Sequence, residues 1–582
     1  MSYQMPSYYQ NMPQLGKALK KGNEENANEI KAIEKEIQDK IDNCNASGKS
    51  DEAVHKTGEL TALERLALLV DEGTFCPLNS LYNPYDNPAD STGIITGLGR
   101  IDGVWCSIVV FDQKKLAGAW VPGQATKMVR ATDVSKRMHI PMVYLVNCSG
   151  VEFDKQEYVC FGRMSGGTPF YRHAELEQLG IPVFVGTFGT NPAGGGYQCI
   201  SPSIIISHRK SNYAVGGVGI TSGMSPKGYF DKEVCQELIN TTKNAKRIDP
   251  PGAMHTQYEA NGFTKEVWDT DEEVINALKR YIAMSPVINK EIFRVADPME
   301  PALPMEDLYS IVPANRKRIY DMKEVLARLV DNGEFAEFQK DYGPEAICGL
   351  ARINGLLVGV FANTQGFIPN YPEYREKAFG VGGKMYRQGM IKVSEFATLC
   401  ARDRIPLIWI QDTQGIDVDD IAERAEVLAL GQSVIYSVQN ANIPQMNITL
   451  RKGQGATEYL LGGPCANDGN AFTIGTALTE MFVMHGETAS AAMYSRRLVK
   501  DQDAGKDIQP TIDKMNALMK HINDHGTPYM CTKNGYVDEI VDLDKLRNYM
   551  IAFAEAAYQN PVSYCPLHQM LLPRLIRDHN KD

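Results

Sequence analysis

Four short segments of this chain occur twice, in the same order and at nearly constant spacing, and that repetition limits the possible folds more than any other feature. VDEGTF at Val70 to Phe75 returns as VDNGEF at Val330 to Phe335. ITGLGRIDG at Ile95 to Gly103 returns as ICGLARING at Ile347 to Gly355, and IPMVYLVNCSG at Ile140 to Gly150 as IPLIWIQDTQG at Ile405 to Gly415. The run IPVFVGTFG from Ile181 has its counterpart in IPQMNITLRKG from Ile443. One such match is weak, but four in register are the mark of a duplicated domain. At 582 residues the chain also has the length of two large domains.

The expected division is a helical extension over 1–58, a first copy over 59–300 and a second over 301–582. The join falls within ADPMEPALPMEDLYSIVPANRK, Ala296 to Lys317, where four prolines interrupt helical patterning as in a linker. In the extension, Ile30, Ile33, Ile37 and Ile41 recur at helical spacing and read as a packing or dimer surface. Each copy opens on a helical stretch, ELTALERLALLV or YDMKEVLARLV, and continues into β-rich runs bounded by Gly and Asp or Asn. The four IP runs have the composition of strands buried on both faces. Each is followed by a glycine turn and a helix-prone stretch, so the class is α/β with a repeated unit of strand, turn and helix. In the second copy that helix is placed by Ile421, Ala425, Leu428 and Ile435.

A glycine turn between a strand and a helix leaves main-chain N–H groups without intrahelical acceptors, with the helix dipole behind them. Each copy offers two such turns, Gly150-Val151 and Gly194-Gly195-Gly196 in the first, Gly415-Ile416 and Gly455-Ala456 in the second. Two donors aimed at one oxygen form an oxyanion hole, in which one donor is worth about 2.7–4 kcal/mol of barrier. The competing reading of each glycine is backbone conformation alone. What sets these apart is their paired occurrence after equivalent strands.

Other patterns fail on spacing. GLGRIDG lacks the GxGxxG interval of a dinucleotide loop and reads as a β-hairpin closed by DG, with NG closing its counterpart. ASGKS has no upstream P-loop glycine, and no GxSxG nucleophile turn occurs. His521 and His525 stand four apart without an HExxH glutamate and read as a solvated helix face, so no metal is expected. Asp417, Asp419, Asp420 and Glu423 read as complements to a helix N-terminus. Glu152 and Glu458, beside the proposed donors, are kept as candidate acid or base groups. The 12 cysteines form no CxxC pair, which favours a reduced, cytoplasmic chain. A net charge of -11 argues against nucleic acid as a partner. The opening stretch lacks the apolar core of a signal peptide, and no apolar run reaches membrane-spanning length.

VNCSGV with TNPAGGGYQCISP, and DTQGI with TLRKGQGA, resemble in order and placement the two hallmarks of the biotin-dependent acyl-CoA carboxyltransferase family. The resemblance runs from about Leu60 to Ala556. It implies two tandem crotonase-like (ClpP/crotonase) domains of repeated β-β-α units. The segments YQNMPQLGK, KKLAGAWVPGQA, SGGTPFYRHAELEQLGIPV and AAYQNPVSYCPLHQM resemble more narrowly the sodium-pumping decarboxylases of the family. One departure is the third glycine at Gly194 to Gly196, where the carboxylases usually read AGGA.

The resemblance implies transfer of the terminal carboxylate of glutaconyl-CoA to biotin, with release of crotonyl-CoA. Val151 and Gly195, flanked by Gly150, Gly194 and Gly196, would serve the thioester oxygen. Ile416 and Ala456, flanked by Gly415 and Gly455, would serve the ureido oxygen of biotin. No AMKM-type biotinylation site occurs, so biotin is expected on a separate carrier subunit, beside a membrane-bound carboxybiotin decarboxylase subunit. A homodimer is expected, held through those partners at the inner face of the membrane. Lys114, Lys115 and Lys127 stand between two readings, CoA phosphate ligands and a solvated face. The rival readings are a propionyl-CoA or methylcrotonyl-CoA carboxylase beta subunit, a crotonase-type hydratase or hydrolase using Glu152 or Glu458, and a scaffold without activity.

Overall fold

The computed structural model describes residues 11–87, 91–162, 164–199, 204–217, 229, 231–245, 250–285, 290–375, 379–439 and 441–560. The segment Ile200 to Pro202 of the first glycine motif and the part of AAYQNPVSYCPLHQM beyond Asn560 lie outside them. The chain divides into two compact units, Lys40–Ile288 and, together, Met1–Asp39 with Asn289–Asp582.

In the Lys40–Ile288 unit, seven described strands form one sheet, in the order Cys76–Leu78, Ile94–Ile101, Val104–Phe111, Met142–Val146, Val183–Thr187, Ile204–His208, Glu266–Trp268. The first three are antiparallel and the rest parallel. The hairpin pairs Ile101 with Val104 across Asp102 and Gly103, both at positive φ (46° and 84°), the turn that DG favours. Helix Gln124–Met138 makes the crossover to Met142–Val146, and helix Thr168–Gln178 the next one. The strand Met142–Val146 is buried at every position, as a sheet covered on both faces requires. Ahead of the sheet, helix Ala62–Leu69 starts at a capping box in which Thr61 and Glu64 satisfy each other's main chain, worth about 1 kcal/mol.

The other unit repeats this plan. The hairpin Ala346–Ile353 with Leu356–Asn363 turns at Asn354 and Gly355, at φ 52° and 77°. Parallel strands Leu407–Thr413, Gln445–Gln454 and Asn470–Gly475 follow in sheet order, linked by helices Arg387–Arg402, Val427–Gln439 and Thr457–Leu460. One apolar cluster, which includes Phe361, Phe396, Leu407 and Trp409, packs helix Arg387–Arg402 onto this sheet.

Three expectations change here. The helix placed by Ile421, Ala425, Leu428 and Ile435 is broken into Asp420–Arg424 and Val427–Gln439, because Glu426 stands at φ 63°. Leu428 is accordingly 74% exposed. The helix read over YDMKEVLARLV shortens to Met322–Leu326. The proline-rich join is not a free tether: Leu308, Tyr309 and Val312 are buried. Asn26 of helix Glu24–Ala46 donates to the carbonyls of Tyr309 and Val312 at 2.7 and 2.9 Å, and the Tyr309 hydroxyl donates to Glu34 at 2.9 Å. The packing reading of the isoleucines fits this, with Ile30 and Ile37 buried.

Candidate functional site

Strand Met142–Val146 leaves its sheet into the turn that ends at Val151. Gly150 stands at φ 101°, a conformation that side chains rarely adopt. Trp120 forms a parallel bridge to Val151: its N–H donates to the Gly150 carbonyl at 2.7 Å, and its carbonyl accepts from Glu152 at 3.0 Å. Successive N–H groups of an extended chain point to opposite sides, so that of Val151 faces away from Trp120. It donates to no described group. The Val151 side chain packs against the core and fixes this orientation.

The neighbouring strand Val183–Thr187 runs into the triple glycine. Asn191 ties the two turns together, accepting the Cys148 N–H on Oδ1 at 2.7 Å and donating through Nδ2 to Phe188 at 2.8 Å. The helix Gly194–Cys199 begins at the glycines, whose first-turn N–H groups have no intrahelical acceptor. A Cβ built on Gly194 would lie 2.7 Å from the Trp120 ring and 3.6 Å from Val151 Cγ2, which sets this turn against the first. One on Gly195 would come within 2.3 Å of the Cys148 carbonyl oxygen, and one on Gly196 within 2.7 Å of that of Ala214. The protein's own main chain and Trp120 therefore exclude side chains here. Beside Gly196 opens a cavity of about 260 Å³ walled by Tyr197, Tyr213 and Phe263.

The second unit repeats the arrangement with different side chains. Gly415–Ile416 pairs in parallel with Lys384–Met385, with Ile416 opposite Met385, whose carbonyl accepts from Asp417 at 3.0 Å. Ile416 thus stands as Val151 does, its N–H turned away from the bridge and its side chain on the core. Both donors sit on extended bridges and not at helix N-termini, as the strand, turn and helix pattern had suggested. Gly415 is at φ 129°, and a Cβ there would meet nothing within 4 Å. Gly455, at φ 58°, donates to the Phe482 carbonyl at 3.1 Å, and Ala456 caps helix Thr457–Leu460. The Ala456 N–H donates to no described group. The helices behind the two glycine turns span six and four residues, so directed N–H groups and not a long helix dipole are what each turn presents.

A cavity of about 510 Å³ opens beside Gln414, lined by Arg316, Lys317, Arg318, Arg451, Lys452 and His485 among others. Asp412, fully buried, accepts from Arg451 Nε at 2.7 Å and from the Tyr320 hydroxyl at 2.9 Å. Arg451 Nη2, although buried, has no partner among the described residues. Burial lowers the basicity of both Lys452 and His485, the dominant cause in each. Cations outnumber carboxylates in the cavity wall, although Arg316 is paired with Glu480 and Glu487, and Arg451 and Lys452 with Asp412. The sequence motif showed Arg451 and Lys452 but not Arg316 and Lys317, which end the proline-rich join, or Arg318 just beyond it.

Lys114, Lys115 and Lys127 are buried and held internally, which removes both readings offered for them. Lys114 pairs with Asp51 at 2.6 Å, Lys115 donates to the Ser47 carbonyl at 2.8 Å, and Lys127 to that of Ile94 at 2.7 Å. Glu152 lies 3.4 Å from Lys155. Glu458 is buried against Gly463; burial pushes its carboxyl up to about 7, against the opposing hydrogen bond of Cys465. Asp419 and Asp417 are both held by Arg375, and only Asp419 also caps a helix, accepting from Ala422 at 3.0 Å. His521 and His525 lie exposed on helix Gln509–His525, as a solvated face requires.

The fold is that of a carboxyltransferase subunit: the beta subunit of Pseudomonas aeruginosa geranyl-CoA carboxylase superposes with a TM-score of 0.74, covering 94% of this chain and 98% of that one at 24% identity. Residues 53–571 match the carboxyl transferase domain, and the chain belongs to that family. It is 57% identical to glutaconyl-CoA decarboxylase subunit alpha of Acidaminococcus fermentans over 577 residues, 99% of this chain and 98% of the relative. It is 25% identical to methylmalonyl-CoA decarboxylase subunit alpha of Propionigenium modestum, over 84% of this chain and 89% of that one. Among the described residues no helix is long and apolar enough to cross a membrane.

Proposed function

We propose that this chain is the carboxyltransferase subunit of a sodium-pumping glutaconyl-CoA decarboxylase. The observation that carries the reading is the repeated donor arrangement. Val151 beside the triple glycine and Ile416 beside Gly455-Ala456 are equivalent turns on equivalent strands, and the relative most similar in length and sequence among those described acts on glutaconyl-CoA by name.

In the first unit, the acyl-CoA side, the N–H groups of Val151 and Gly195 stabilise the thioester oxygen. Loss of the far carboxylate leaves a carbanion conjugated through the double bond to that thioester, so negative charge gathers on its oxygen. In the second unit, the biotin side, Ile416 and Ala456 stabilise the ureido oxygen of a biotin delivered by a carrier subunit. The cationic cavity beside Gln414 and the unpartnered Arg451 Nη2 fit a ligand that carries a carboxylate. Biotin bound there would supply N1 as the carboxyl acceptor and the proton that the γ-carbon of crotonyl-CoA takes up, while Val151 and Gly195 hold the charge at the thioester oxygen and Ile416 and Ala456 that at the ureido oxygen. Gly150, Gly194, Gly196, Gly415 and Gly455 shape the turns. The reading includes a homodimer at least, and attachment to the inner face of the membrane through a decarboxylase subunit.

Purified chain given glutaconyl-CoA and free biotin is expected to release crotonyl-CoA only when biotin is present. Biotin-independent hydration or thioester hydrolysis of glutaconyl-CoA, abolished by Glu152→Gln or Glu458→Gln, would instead establish crotonase-type hydratase or hydrolase chemistry. Preferential carboxylation of propionyl-CoA would establish a carboxylase subunit.

A further inference from the structure

We propose that Arg375 is a positioning residue for the Ile416 donor, its guanidinium clamping the turn from Gly415 to Asp419 through two carboxylates. The inference rests on the reading of Ile416 as an oxyanion donor and extends it to the group that holds that donor in place.

Arg375 donates through Nε and Nη2 to Asp417 Oδ2 at 3.1 and 2.8 Å. It also donates through Nη1 and Nη2 to the two oxygens of Asp419 at 2.8 and 3.0 Å. The planar fork of arginine is suited to bridging two carboxylates, which an ammonium cannot do. Asp417 directly follows Ile416 and is buried; its N–H donates to Met385 and its carboxylate also accepts from Tyr374 at 2.7 Å. Main chain and side chain of the residue next to the donor are therefore both fixed.

Asp419 stands at φ 130° and ψ -179°, a region nearly restricted to glycine that costs about 1–3 kcal/mol for other residues. Such a conformation persists only where surrounding contacts outweigh it, and here the contacts are Arg375 and the Ala422 N–H. Four positions before Arg375, Tyr371 donates to the buried Glu345 at 2.6 Å and packs edge-on against Tyr386. The first unit has no equivalent: the residue after Val151, Glu152, meets only the local Lys155 among the described ion pairs. Among the described ion pairs the second turn is therefore held by a charged clamp and the first is not.

The test uses the full chain with glutaconyl-CoA and free biotin. Arg375→Ala is expected to lower kcat by about tenfold or more, with KM for glutaconyl-CoA within about twofold of the parent. Amide exchange over Gly415 to Asp419 is expected to speed up more than exchange elsewhere in the second unit, and the melting midpoint to fall, because Asp417 and the strained Asp419 lose their shared partner. Low concentrations of guanidinium ion are expected to restore part of the lost kcat, and Arg375→Lys to restore less. Parent-like kcat in Arg375→Ala overturns the proposal, as does a loss that guanidinium leaves unchanged and that tracks the melting midpoint. A loss confined to KM for glutaconyl-CoA, with faster exchange in the turn, supports the clamp and overturns the assignment of the second unit to biotin.

Discussion

The hydroxyls of Thr413 and Thr457 are hydrogen-bonded at 3.0 Å, and this contact ties the end of the strand leading to Ile416 to the helix that Ala456 caps. Asn191 makes the corresponding tie in the first unit through the Cys148 N–H. One plan is thus executed twice with unrelated side chains, as the geometry of the donors demands and the chemistry of the struts does not.

Thr457→Val keeps the shape and removes the strut. Leaving a buried acceptor unsatisfied costs about 1–3 kcal/mol. The expected outcome is a kcat reduced by about tenfold with KM for glutaconyl-CoA little changed. Steady-state kinetics at saturating biotin measure both.

Glycine-to-alanine changes at the two sites are expected to act for different reasons. Gly195→Ala forces a Cβ to within 2.3 Å of the Cys148 carbonyl, so a main-chain segment must move and the donor with it. Loss of one oxyanion donor predicts a fall of about 100- to 1,000-fold in kcat. Gly415→Ala meets no neighbour but must adopt φ 129°, with strain of about 1–3 kcal/mol. Its stability loss is expected to exceed its steric effect on the turn, and comparison of denaturation midpoints with kcat for the two variants separates the cases.

Asp412 is the buried anion beneath the cationic cavity. Asp412→Asn leaves Arg451 uncompensated, and breaking a buried pair in this way costs about 3–5 kcal/mol. Chemical denaturation of the second unit's transition reads this directly.

The buried carboxyl of Glu458 predicts a pH dependence of stability. Its folded value is about 7 against an ordinary 4.5, chiefly through burial. A raised carboxyl value means that the stability is fully present below the unfolded value and is lost as pH rises through the folded one. The melting midpoint is therefore expected to fall between about pH 5 and pH 8, and Glu458→Gln to flatten part of that fall. Calorimetry across this range decides it; equal slopes in parent and variant would remove Glu458 as a cause.

The sequence carried the architecture because duplication and hairpin chemistry are local signals. Asp102-Gly103 and Asn354-Gly355 reported their turns directly, and the IP runs reported buried parallel strands. What escaped was set by partners remote in sequence. Trp120 and Met385, which hold Val151 and Ile416 in extended bridges, are ordinary apolar residues with no motif to mark their register. Glu426 breaks a helix whose apolar spacing is continuous, since spacing reports faces and not φ. Arg375 is one arginine among many until the chain brings it to Asp417 and Asp419.

The crowding around Gly194, Gly195 and Gly196 makes the two units unequal targets for redesign. Trp120, Cys148 and Ala214 already occupy the room that a larger residue would need, so the cavity beside Gly196 is open to change through the walls at Tyr197, Tyr213 and Phe263. At Gly415 the surroundings are vacant and the limit is torsional, so a residue with a D-configured α-carbon, placed by chemical synthesis, would fit where alanine does not.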